Sequence, residues 1–268
     1  MFEMSYTRLI KQVLTFGEIR ETRNGNTTAL FSTQVVIPDL HLGYFPILLG
    51  RKMFYKGVLG ELAAILRKPI CNGDFVEQGC NYWKEFADPD GSLRVDYGNA
   101  WFDFFGTDQV AELKRQLREE PTSRRMLITG WNPANLPNLS LPCCHMLYQF
   151  YVSQGQYLHM KWYQRSVDVM IGLPSDVIFA AAWLLAICNE FGLKPGVITM
   201  DFGDTHIYEE HLDKTAEYLK QAEAMHDASR PLFAYTAKPG ADFCDFKAED
   251  IEVLHYHPAP QINFKLKV

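Results

Sequence analysis

No stretch of this 268-residue sequence approaches the roughly eighteen uninterrupted apolar residues of a membrane-spanning helix. The opening MFEMSYTRLIKQVLTFGEIRETR carries charge where a secretory leader needs an apolar stretch, so a soluble, intracellular chain with no membrane partner is the expectation. A Lys/Arg block is also missing, and the formal net charge of −6 opposes a protein that grips a nucleic-acid polymer by its phosphates. A single nucleotide remains open as a ligand, because one phosphate needs only a few placed arginines. The six cysteines (Cys71, Cys80, Cys143, Cys144, Cys188 and Cys244) show no regular spacing, which excludes a disulfide framework and leaves reduced thiols as the default. There is no GxGxxG after a strand, no GxxxxGKS/T and no GxSxG, so dinucleotide, P-loop and α/β-hydrolase readings have no anchor. Zinc spacings are missing as well: Cys143, Cys144 and His145 are contiguous and cannot all face one ion, and His206 and His211 are five apart rather than four. No metal is expected.

What is present is a hydrophobic fraction of 47%, enough for a sizeable core, and no repeat or linker to divide residues 1–268, so one domain is expected. MSYTRLIKQVLTFG has helical spacing and stops at Gly17, and TALFSTQVVIPDL alternates up to a proline. MFYKGVLGELAAILRK predicts a helix with Glu61 beside its apolar stripe, and TDQVAELKRQLREEP a surface helix capped near Thr107 and closed by Pro121. RRMLITGW, the hairpin CHMLYQFYVSQGQYLHMKWYQRS and GVITMDFGDTHIY read as strands. PSDVIFAAAWLLAICNEFG is apolar nearly all round and predicts a buried helix. EDIEVLHYHPAPQINFKLKV gives a strand, then a proline-punctuated tail that ends in alternating residues. Without a regular βαβ rhythm the fold class is α+β.

LPCCHMLYQFYV sets Cys143, Cys144 and His145 at the lip of a core strand. Two small core thiols would explain it if it stood alone. Arginines recur where strand patterns end, at Arg124, Arg125 and Arg165, and several converging on one thiol would form an anion site that favours the thiolate.

These residues fall in three ordered signatures: a P-C-H-x3-Q-F-Y-V run, with Cys143 as an extra residue before Cys144; Y-Q-R-S-x-D-V-x-x-G-L/V-P; and G-D-x-H-x-Y. In this the chain resembles the thymidylate synthase family, and weaker similarity runs through ETRNGNT, GELAAIL, YWKEFADPDGSLRVDYGNAW and EEPTSRRMLITGWN. The resemblance implies a large mixed β-sheet packed with helices, one sheet face serving a homodimer. It implies Cys144 as the nucleophile that attacks C6 of a pyrimidine nucleotide, so that C5 can capture the one-carbon unit of the cosubstrate 5,10-methylenetetrahydrofolate. By motif, Arg23, Arg124, Arg125 and Arg165 with Ser166 hold the 5′-phosphate, the 124/125 pair reaching across from the other subunit. His206 and Tyr208 hold the sugar hydroxyl, Gln164 joins the nucleotide site, and Glu61 manages protons and water. Trp83 and Tyr97 line the site, Tyr97 among the catalytic group, while Asp168, Gly172 and Ser175 with Trp83 face the folate. The loop ETRNGNT is shorter than the family's D-R-T-G-T-G, which weakens the match at Arg23.

The departures bear on substrate. Thymidylate-forming members follow G-L/V-P with Phe and then an Asn that reads uracil; here Ser175 and Asp176 stand there. An ionised carboxylate cannot donate to a uracil O4, whereas it can accept from the N4 amino group of cytosine and share a proton with N3. That favours dCMP over dUMP. Ser175, smaller and more polar than Phe, and Phe86, where the synthases commonly carry Trp, suit the entry of water and a hydroxymethyl product. A methyl-forming dCMP or dUMP enzyme is the alternative. A noncatalytic nucleotide- or RNA-binding protein would be expected to have lost Cys144, Glu61 or the arginines, all of which are present. Modified cytosines further suggest a bacterial or phage-infected cytoplasm.

Overall fold

The periodicities translate into fifteen regular elements over residues 2–267, which the computed structural model describes. In chain order these are α1 (Phe2–Phe16), β1 (Glu18–Thr22), β2 (Gly25–Ile37), α2 (Tyr55–Ile65), α3 (Asn72–Glu77), α4 (Asn99–Phe102) and α5 (Gln109–Glu119). They continue with β3 (Leu127–Thr129), β4 (His145–Ser153), β5 (Tyr157–Asp168), α6 (Gly172–Phe191), β6 (Lys194–Tyr208), α7 (Leu212–Ala224), β7 (Leu232–Tyr235) and β8 (Ile251–Leu254). Six strands form one sheet in the order β1-β2-β6-β5-β4-β3, parallel only between β5 and β6; β7 and β8 pair separately. The parallel pair needs a crossover, and α6 supplies it. This is the α+β architecture expected of a mixed sheet packed by helices.

Helix α6 is long and apolar enough to span a bilayer by composition, yet most of it is buried inside the molecule. It packs on β5 and β6, α2 packs on α6, and α1 packs on β2. Trp101 stacks on Trp183 of α6 with ring centroids 4.4 Å apart, and Tyr148 and Phe150 of β4 meet the same indole edge-on. The opposite sheet face carries exposed Gln34, Gln149, Tyr151, Lys161 and Tyr163. Such a face normally meets either water or another sheet.

A row of irregularities crosses the sheet. Ser32 of β2 (φ 65°), Gly203 of β6 and Arg165 of β5 each fall between register pairs on adjacent strands, and the Arg165 amide donates to the Cys144 carbonyl at 2.9 Å. A β-carbon on Gly203 would stand 2.6 Å from the Arg165 carbonyl oxygen, so this row closes only around glycine. Such unpaired positions interrupt the ladders without shifting their register. Here they set the Cys144 carbonyl against β5.

Two local details are set by the structure. The cap of α5 is Asp108 rather than Thr107: its carboxylate accepts from the Ala111 amide at 2.8 Å, while Thr107 closes a small bridge with Phe104. Among the described residues the alternating end of the chain forms no ladder. It lies along α7, with His211 and Lys214 bonded to the carbonyls of Lys265 and Asn263 and Phe264 under the Arg51 guanidinium at 4.8 Å.

Candidate active site

The site forms where β5 runs into α6, because Asp168 turns the chain there. Its Oδ1 accepts from the amides of Met170 (2.8 Å) and Ile171 (3.1 Å), satisfying donors that open the helix. Its Oδ2 has no hydrogen bond among the described residues. One turn later Asp176 projects from α6 with Gln164 beside it. Asp168 also stands in register with His206 of β6.

Cys144 is half-buried immediately before β4. Its amide donates to the Tyr97 hydroxyl, and the Arg165 guanidinium donates from Nε to the Cys143 carbonyl (2.8 Å) and from Nη2 to that of Pro142 (3.1 Å). The segment Pro142–Cys144 is thus clamped by its backbone. Burial pushes the Cys144 thiol above its usual range; Arg165 opposes this, and Asp176 and Asp168 add to it. The thiolate-favouring cluster of arginines is therefore not assembled within one chain. Arg165 alone bears on the sulfur, while Arg124 and Arg125 are exposed beyond α5 and Arg23 is exposed at the tip of the β1–β2 hairpin, none in an ion pair among the described residues.

Cys143 is 1% exposed, its sulfur 3.8 Å from the Gly130 carbonyl, and burial holds its thiol protonated. His145 is buried against Tyr97, Trp162 and Phe179 and shares a 2.6 Å bond with the Tyr148 hydroxyl; burial drops its pKa to about 3. It stays neutral and packs.

Two buried carboxylic acids stand at the site, Asp176 bearing directly on the thiol. Asp176 accepts at Oδ2 from Gln164 Nε2 (2.8 Å), and burial, aided by the charges of Glu61 and Asp168, raises its pKa to about 7. Glu61, on α2, accepts from the Trp83 indole (2.7 Å) and the Tyr82 hydroxyl (2.6 Å), and burial raises it to about 7 as well. Carboxyls poised near neutrality are what acid–base chemistry requires. Trp83 stacks on Phe75 and meets Tyr97 edge-on at 5.9 Å, with Phe86 at 5.6 Å on its other side.

Near the far end of β6, His206 and Tyr208 lie edge to face at 5.1 Å. Asp204 accepts from Arg20 at 2.9 Å and pairs with His206 Nδ1 at 2.7 Å, which orients the ring and leaves Nε2 available. Gln164 is 2% exposed and spends its amide within the protein, on Asp176, on the Ser166 carbonyl (3.1 Å) and on the Trp162 indole (3.2 Å). Ser175 bonds back to the Ile171 carbonyl at 3.4 Å. A β-carbon on Gly172 would meet only Asp176 Oδ2 at 3.6 Å and Asp168 Cβ at 4.0 Å, so there is room beside both carboxylates.

Cys144, Arg165, Asp168 and Asp176 thus gather around one β5–α6 junction. The family model described as thymidylate synthase covers residues 4–268. The chain belongs to the thymidylate synthase family. A thymidylate synthase of Zymomonas mobilis subsp. mobilis is 33% identical over 297 aligned positions, covering 98% of this chain and 98% of that protein. Thymidylate synthase-family proteins are transferases that move a one-carbon unit to C5 of a pyrimidine nucleotide, with methylenetetrahydrofolate as cosubstrate. Residues fit for a flat, donor-rich heterocycle are at hand: the unspent oxygen of Asp168, the Trp83 ring and the open space at Gly172. Among the described residues no group of three or more His, Cys, Asp or Glu forms a metal site.

Sequence reasoning missed Tyr82 and Arg20. Tyr82 directly precedes the Trp83 signature, and nothing in its spacing marks it as a partner of Glu61. Arg20 lies on β1, an edge strand exposed at every position, which has no hydrophobic alternation to reveal it.

Proposed function

We propose that the protein is a deoxycytidylate 5-hydroxymethylase, acting as a homodimer through a covalent Cys144–C6 adduct. The observation that carries the reading is Asp176: a carboxyl raised to about 7, in the place where uracil readers have an amide, is available in both protonation states near neutrality. Ionised, it accepts from the N4 amino group of cytosine; protonated, it donates to N3 as Cys144 pushes electrons toward that nitrogen. Cys144 acts as nucleophile and Tyr97 holds its backbone. Glu61 handles the proton and the attacking water, and bound methylenetetrahydrofolate supplies the one-carbon unit. Asp168, Gly172, Ser175 and Trp83 hold that cosubstrate, while His206 and Tyr208 bind the sugar hydroxyl.

The phosphate goes to Arg165 with Ser166 and Arg23, and to Arg124 and Arg125 of the second subunit. Support for the dimer comes from the uncovered sheet face and from the exposed 124/125 pair, which makes no ion pair among the described residues. An incoming phosphate and a second set of guanidinium groups would also lower the Cys144 thiol toward reactivity. Gln164 serves from beneath, holding Asp176 in place.

Incubating the purified protein with dCMP or dUMP and methylenetetrahydrofolate tests this, with mass spectrometry of the nucleotide and absorbance for dihydrofolate. A gain of one CH2O on dCMP without dihydrofolate is the expected result. A gain of one CH2 with dihydrofolate would instead establish the methyl-forming reading, which the 33% identity to a thymidylate synthase favours.

A further inference from the structure

The segment after α3 crosses α2 at a glycine. A β-carbon on Gly60 would stand 2.0 Å from the Gln78 carbonyl oxygen and 3.3 Å from the Cys80 amide, so the main chain rests directly on the helix one residue before Glu61. That close approach delivers two donors to one carboxylate. Trp83 Nε1 reaches Oε1 at 2.7 Å, and Tyr82 Oη reaches Oε2 at 2.6 Å. An indole N–H can only donate, and a phenol beside a carboxylate donates to it, so each oxygen of Glu61 is held by one donor of the crossing segment. The crossing segment is rigid: Trp83 stacks on Phe75 at 4.7 Å, and the Cys80 amide bonds the Phe75 carbonyl at 2.9 Å.

We propose that Tyr82 is a positioning residue of the reaction, its hydroxyl fixing Glu61 through Oε2 as the Trp83 indole does through Oε1, so that the carboxyl's remaining lone pairs face the nucleotide. This rests on the reading of Glu61 as the group that manages proton and water. The role has a chemical consequence beyond rigidity. Each donor favours the charged carboxylate against the burial that disfavours it. The groups facing Glu61 are Tyr82, Trp83 and Cys80 from the crossing segment and Asp176 from α6. Burial holds the Tyr82 phenol and the Cys80 thiol protonated, so Asp176 is the neighbour that titrates with Glu61. Removing the Tyr82 hydroxyl raises the pH at which Glu61 ionises. It also frees the carboxyl to turn.

The test is a carboxyl titration by NMR on the full-length protein with carbon-13 carboxyl-labelled glutamate, the Glu61 signal assigned by its loss in Glu61→Gln. In Tyr82→Phe the Glu61 midpoint should rise by about one pH unit, a tenfold change in proton affinity. The limb of kcat that follows Glu61 should move to higher pH by the same amount. kcat itself should fall about tenfold or more, while KM for the nucleotide changes less than about threefold. Trp83→Phe removes the opposite donor and should move the midpoint in the same direction, which keeps the test alive if Tyr82→Phe does not fold. An unmoved midpoint in both variants, or a kcat loss with an unmoved pH limb, would overturn the proposal. Full activity in Glu61→Gln would instead sink the reading of Glu61, and the role of Tyr82 would go with it.

Discussion

Gln164 donates its amide N–H to Asp176 Oδ2 at 2.8 Å while its carbonyl accepts from the Trp162 indole at 3.2 Å. The indole nitrogen has no lone pair to offer, so it dictates which way the Gln164 amide faces, and the amide in turn makes Oδ2 an acceptor. When Asp176 is protonated, its proton therefore sits on Oδ1. Replacing the carboxyl by an amide should reverse the choice of base: in Asp176→Asn, kcat/KM for dCMP falls by about 100-fold or more and dUMP becomes the better substrate. Steady-state rates with both nucleotides check this, and a variant that still strongly prefers dCMP removes Asp176 from base reading.

Cys144→Ala should abolish turnover and leave nucleotide binding within about an order of magnitude, because the thiol contributes a bond to the reaction rather than to recognition. Cys143→Ala is the control, expected to stay within a few-fold of wild-type turnover since its sulfur faces the Gly130 carbonyl. Mass spectrometry of a trapped nucleotide adduct distinguishes the two thiols directly. Unchanged turnover in Cys144→Ala would end the covalent mechanism.

The arginines predict that cytidine binds far more weakly than dCMP, because charge-assisted contacts to phosphate are among the strong ones. They also predict complementation. An inactive Arg124→Ala, Arg125→Ala double variant mixed with inactive Cys144→Ala should regain part of the activity, since one site of the mixed dimer would have both its sulfur and the partner's arginines. No recovery after subunit exchange has been verified would count against the shared site.

Glu61 and Asp176 also tie stability to pH. Both carboxyls are raised to about 7 in the folded protein, chiefly by burial, while the unfolded chain ionises them near the ordinary carboxylate values. The folded state thus holds their protons more tightly, and the stability this confers is present below the unfolded values and is lost as pH rises through about 7. The unliganded protein should melt lower at pH 8 than at pH 5, by an amount on the order of 2 kcal/mol per group. Asp176→Asn should reduce that slope. Thermal unfolding across this range, in buffers of matched ionic strength, measures it.

Much of the fold was legible because its elements bury one face. The stop at Gly17, the alternation of β2, the β4–β5 hairpin and the all-apolar α6 each follow from a period that tertiary packing then uses. β1 was not legible, since EIRET is exposed at every position and is held by its ladder to β2 and the Arg20–Asp204 contact to β6. In the tail the strand was legible as β8, while the contacts of its alternating end with Arg51 and His211 were not. At the candidate site, motif order named the candidate residues, but not what holds them. The Asp204–Arg20 pair behind His206, the Trp162–Gln164 pair behind Asp176 and the Tyr82 hydroxyl on Glu61 all depend on strand register or on a close main-chain crossing. A linear pattern carries neither.

The row through Ser32, Gly203, Arg165 and Cys144 makes the position of the sulfur a property of three strands at once. Residues on β2 that never meet a nucleotide can therefore register as catalytic defects, and pairs of changes along the row should show epistasis rather than add. For anyone recombining segments between relatives, the natural unit of inheritance here is the row across the sheet. A crossover placed between β2 and β5 would separate residues that only work together.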